Sequence, residues 1–120
     1  MDIKNAFVFR QAFVNMGYRP MNEKESVWGK PIGFGIVIAE VKGDENTIEF
    51  KTMFTDAKKK DRIWGFSVID IEKDLINEEI DGKELYQKCV HCIAYKEFEA
   101  KSEKMFFPLN GYNGKTFDFK

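Results

Sequence analysis

Chemically reactive side chains are scarce in this chain: its 120 residues include one histidine and two cysteines. A single imidazole, His91, leaves one possible base for a nucleophile of the Ser-His-Asp or Cys-His kind. The thiols beside it, Cys89 and Cys92, do not sit a strand and loop away as those arrangements require. Structural zinc takes about four ligands and catalytic zinc about three from the protein. Cys89, His91 and Cys92 are the whole Cys/His set, and on a helix His91 points away from the other two. No catalytic residue, metal ligand or cofactor is therefore assigned. Paired carboxylates remain open, because separation in sequence does not fix separation in space. Two cysteines three positions apart cannot build a disulfide framework. Reactive CxxC pairs lie at helix N-termini, whereas this one falls within a segment, so both are read as buried reduced thiols.

Arginine is also sparse. Of the nineteen basic residues only Arg10, Arg19 and Arg62 carry a guanidinium, a bias towards lysine that fits AT-rich coding and a low-GC bacterium or its phage. A net charge of −1 excludes a whole-molecule field for nucleic acid or acidic membranes and leaves room only for a local patch. No apolar run approaches the length of a membrane span. Asp2, Asn5, Arg10 and Gln11 interrupt what would be the apolar stretch of a secretory signal, so a cytoplasmic protein is expected. Neither GxxxxGK[ST] nor a GxGxxG between strand and helix occurs, so Gly29, Gly33 and Gly35 read as glycines at a bend.

What the chain does have is apolar patterning and aromatics, 43% and 15% of its residues, a globular balance in one domain spanning residues 1–120. Ile3 to Met16 carries Ala6, Phe7, Phe9, Phe13, Val14 and Met16 at helical spacing, with Gly17 and Pro20 as stop signals. Trp28 to Gly35 reads as an irregular approach to a strand. Phe34 to Val41 is apolar on both alternating sets, the mark of a strand covered on both sides. A turn at 42–46 leads to Thr47 to Thr55, where Ile48, Phe50, Thr52 and Phe54 face one way and Glu49 and Lys51 the other. Ile63 to Ile71 completes a three-strand meander. Glu72 to Asp81 fits a short helix or turn. Asp81 and Glu84 have the spacing of an N-cap and its partner for a helix over 83–102, although Cys89 to Tyr95 also tolerates a strand, which would pair with Met105 to Leu109. Thr116 to Phe119 reads as an edge strand. The expected fold is α+β: an antiparallel sheet of about three to five strands, its meander core from Phe34 to Ile71, packed against an N-terminal helix and a second helix near 83–102.

Two charged segments stand out. Lys58, Lys59, Lys60 and Arg62, broken only by Asp61, occupy an expected hairpin loop beside Trp64, whereas Asp70 to Glu84 is strongly acidic without EF-hand spacing. Lysine supplies point charge rather than two-pronged geometry, so sequence-specific nucleic-acid readout is disfavoured. The expectation is a non-enzymatic binding protein that occupies a protein partner, of the type of a small phage or mobile-element inhibitor of a host protein; homo-oligomer formation through the opposed charges is a further possibility. The alternative is a binder of a small anionic ligand such as a nucleotide, using Trp28, Lys30, Lys58, Lys59, Lys60, Arg62 and Trp64.

Overall fold

A computed structural model describes residues 3–43, 46–75, 82–102 and 107–108. Helix α1, Ile3–Asn15, ends where Gly17 takes a φ of +96°, with the Tyr18 amide donating to the Phe13 carbonyl at 2.9 Å and the Gly17 amide to that of Val14 at 3.2 Å. This is the paired closure of a helix on a left-handed glycine, and Pro20 follows it. The strands are β1 Arg19–Pro20, β2 Val27–Ile32, β3 Gly35–Val41, β4 Thr47–Thr55 and β5 Asp61–Asp70; then come α2 Ile71–Leu75, α3 Gly82–Lys101 and β6 Phe107–Pro108. All six strands form one antiparallel sheet in sequence order. The expected α+β architecture, with its Phe34–Ile71 meander, is present; two outer strands of two residues each bring the described count to six.

The segment read as irregular contains a regular strand. β2 pairs with β3 from Val27 opposite Glu40 to Ile32 opposite Gly35. Pro31 is tolerated because β1 pairs only as far as Gly29, so at Pro31 the strand is a sheet edge and its missing N–H breaks no ladder bond on that side. The helix over residues 83–102 forms, and the strand alternative for Cys89 to Tyr95 does not. Leu85, Cys89, Ile93, Glu97 and Ala100 recur at helical spacing and all are buried. The segment at Met105 to Leu109 nevertheless contributes β6, which pairs with β5. The proposed cap at Asp81, the acidic stretch 76–81 and the strand at Thr116 to Phe119 lie outside the described residues.

Both long helices belong to the layer on one face of the sheet. Phe13 of α1 is its centre, stacked on Trp28 at 5.3 Å and 14°, edge-on to Tyr18 at 5.1 Å and tilted against Phe9 and Phe50. Val37, Ala39, Ile48, Phe50 and Ile69 complete the core from the sheet. Truncating a buried phenylalanine of this kind to alanine costs about 3–5 kcal/mol. The opposite face is not the polar surface that Glu49 and Lys51 led one to expect. Ile38, Met53 and Ile63 form a second buried cluster there, joined by Val27 and Ile36, and Lys51 itself is buried. Burial pulls the Lys51 ammonium below its usual range, against the opposing pull of Glu49 and Glu40.

Candidate binding surface

The turns β2–β3 and β4–β5 lie at the same end of the sheet, where α3 also terminates. Asp56 builds the second turn. Its Oδ1 accepts the amides of Lys58 and Lys60, both at 2.9 Å, and Oδ2 accepts Nε of Arg62 at 2.7 Å. Lys59 takes the left-handed conformation at φ +61°. Hydrogen bonds from the Lys60 amide and Arg62 hold the Asp56 carboxyl below its usual range. The result is a rigid tip on which Lys58, Lys59 and Lys60 are exposed. Arg62, expected to join them, is instead paired with Asp56.

Beside the tip stands an aromatic trio. Phe54 and Trp64 sit on the strands entering and leaving the turn, and Phe34 on the β2–β3 turn. Ring centroids are 5.2 Å apart for Phe34–Trp64, 5.8 Å for Phe54–Trp64 and 6.3 Å for Phe34–Phe54. Phe34 is 49% exposed and the other two are half-buried. Trp64 owes its position to a bulge: Thr52 pairs with Gly65 and Met53 with Ile63, leaving Trp64 as the extra residue. Its indole N–H donates to the Lys101 carbonyl at 2.8 Å, satisfying one of the free carbonyls at the end of α3.

Lys30 is placed differently from the loop lysines. It lies on the helix-facing side of β2, where Nζ meets both oxygens of Glu97 at 3.1 and 3.2 Å and stands 5.6 Å from the centre of the Tyr18 ring. Glu97 also accepts the Tyr18 hydroxyl at 2.8 Å and pairs with Lys101 at 3.1 Å. Burial works to raise the Glu97 carboxyl, but hydrogen bonds from Tyr18, Lys101 and Lys30 prevail and lower it. Burial, with Glu97 beside it, drives the Tyr18 hydroxyl far upward, so it stays a donor. Trp28 lies in the core, 2% exposed, with its N–H committed to the Glu25 carbonyl at 2.8 Å. Of the seven residues assigned to a binding surface, Lys58, Lys59, Lys60 and Trp64 thus share one end of the molecule; Lys30 and Arg62 are held by carboxylates and Trp28 is internal. Phe34 and Phe54 complete the surface and were not assigned from sequence.

Of the two thiols read as buried, Cys89 is buried and Cys92 is half-buried, packed against the edge of the core. Cys89 is pushed up to about 12 by burial and by Cys92, while burial raises Cys92 as well. At neutral pH neither is the thiolate that exchange chemistry needs. Among the described residues no helix is long and apolar enough to cross a membrane.

Fold and surface together define a class: an α+β domain with helices on one face of an antiparallel meander and an aromatic and lysine cluster at one end. No protein-family model, curated protein or solved structure matches the chain.

Proposed function

We propose that this is a non-enzymatic binding protein that occupies an acidic face of a protein partner with the Phe34, Phe54, Trp64 and Lys58–Lys60 end of its sheet. The observation that carries the reading is the pairing of a half-exposed aromatic cluster with three exposed cations on a turn already ordered by Asp56. Aromatic anchors contribute most of the energy of protein interfaces, and charges beside them steer encounter. A turn fixed before binding loses little conformational freedom on docking. In biological terms the protein fits a small inhibitor of phage or mobile-element type that blocks a host protein by covering it.

The test is a capture experiment with three baits: the natural chain, Phe34→Ala, and a triple variant with Lys58, Lys59 and Lys60 replaced by alanine. An acidic protein retained by the natural chain and lost from both variants, all three baits melting alike, supports the proposal. Equal recovery on all three overturns it. A nucleotide that raised the melting temperature of the natural chain but not of the triple variant would favour a small anionic ligand instead.

A further inference from the structure

A second surface lies at the other end of the strands, between α1 and the connection from β1 to β2. There a groove of about 390 Å³ is lined by Ala6, Phe7, Phe9 and Phe13 on one side and Trp28 and Val41 on the other, with Arg10, Lys24, Glu25 and Ser26 at its mouth. We propose that this groove binds a small apolar carboxylic acid, its chain or ring against the phenylalanines and its carboxylate at the Arg10 and Lys24 rim.

Size, floor, rim and lip all bear on this. The volume falls in the range of small-molecule sites, about 300–1,000 Å³. The floor is preformed: Phe13 and Trp28 are stacked and buried, and because the Trp28 N–H is bound by the Glu25 carbonyl, the indole offers a ligand only its apolar ring. Charge at the mouth selects the ligand. Among the described lining residues Arg10 and Lys24 outnumber Glu25, and Arg10 reaches Glu25 through Nε, at 2.7 and 3.1 Å, which leaves the other guanidinium donors, with no partner among the described residues, for an incoming carboxylate. An amine would meet a net positive rim. At the lip, Glu25 is held at φ +54°, a conformation that non-glycine residues adopt at a cost. Asn22 braces that turn, its Oδ1 accepting the amides of Ser26 at 3.0 Å and Val27 at 3.2 Å. Phe7 stands 65% exposed over the groove, apolar surface that an occupant would cover.

Isothermal titration of the full chain with decanoate, with decanol and decylamine as controls, tests the assignment. Saturable binding of decanoate is expected, weaker by about fivefold or more for either control and about fivefold weaker in Lys24→Glu, the effect of one exposed charge pair. Ala6→Phe fills the groove from an exposed helix position without entering the core and is expected to weaken binding about tenfold or more with an unchanged melting temperature. No saturation up to about 1 mM decanoate, equal binding of decylamine, or undiminished binding by Ala6→Phe would each overturn the proposal. None of these outcomes depends on the lysine turn at the far end.

Discussion

At the scale of single residues, one carboxylate ties three parts of the fold together. Glu97 is buried, and Tyr18, Lys30 and Lys101 converge on it from the end of α1, from β2 and from its own helix. Replacing it by glutamine removes the charge that both lysines answer. Because the lysines are partly exposed, the loss is smaller than for a fully buried pair, about 2 kcal/mol. The pH dependence follows from the lowered native carboxyl. A depressed acid stabilises the fold fully above its unfolded value, about 4.3, and loses that contribution as pH falls through the native value. Urea melts at several pH values are expected to show the natural chain more stable than Glu97→Gln at pH 7, with the gap closing below about pH 4. Thr52 makes the opposite case. Its hydroxyl is buried and has no hydrogen-bond partner among the described residues. Thr52→Val removes the orphaned group at nearly constant shape and is expected to stabilise the protein by about 1 kcal/mol.

At the scale of elements, the close approach of α3 to β5 is set by one glycine. A Cβ at Gly65 would run into the carbonyl oxygens of Ala100 and Ser102, which are backbone and cannot swing aside. Gly65→Ala is expected to lift the end of α3, weaken the Trp64 to Lys101 bond and cost about 2–3 kcal/mol; Gly43→Ala, with nothing among the described residues near its Cβ, should stay within about 0.5 kcal/mol. A shift in urea midpoint at constant slope would check both. These elements also show how far local pattern reaches. The meander was legible because Thr47 to Thr55 alternates with period two, and α1 because its stop signals follow its apolar face. β2 was not, since Gly29 and Pro31 mask the strand, and the tolerance of Pro31 comes from a position where β2 has no partner on its outer side. The aromatic trio was hidden for a related reason: Phe34 meets Phe54 and Trp64 only once two hairpin registers and a bulge are set. Glu97 did leave a signal, because four residues beyond Ile93 the stripe of Leu85 and Cys89 lands on it.

At the scale of the whole molecule, charge is spread along the strands. β5 runs ten residues from Asp61, beside the lysine turn, to Asp70, where Asp74 also lies, a separation of roughly 30 Å. Salt screens exposed charges over about 8 Å at physiological ionic strength, so the basic tip is not cancelled by the acidic end and acts on what approaches it. The proposed surface therefore divides its labour: lysines govern the encounter, while Phe34, Phe54 and Trp64 govern how long the complex lasts. With the captured partner immobilised, raising salt from about 20 to 300 mM is expected to slow association by about tenfold and leave dissociation nearly unchanged. The triple lysine variant should flatten that salt dependence, whereas Phe34→Ala should keep it and speed dissociation about tenfold or more. Were Phe34→Ala to alter only the association rate, the aromatics would not be the anchor, and the lysine turn alone would have to hold the partner.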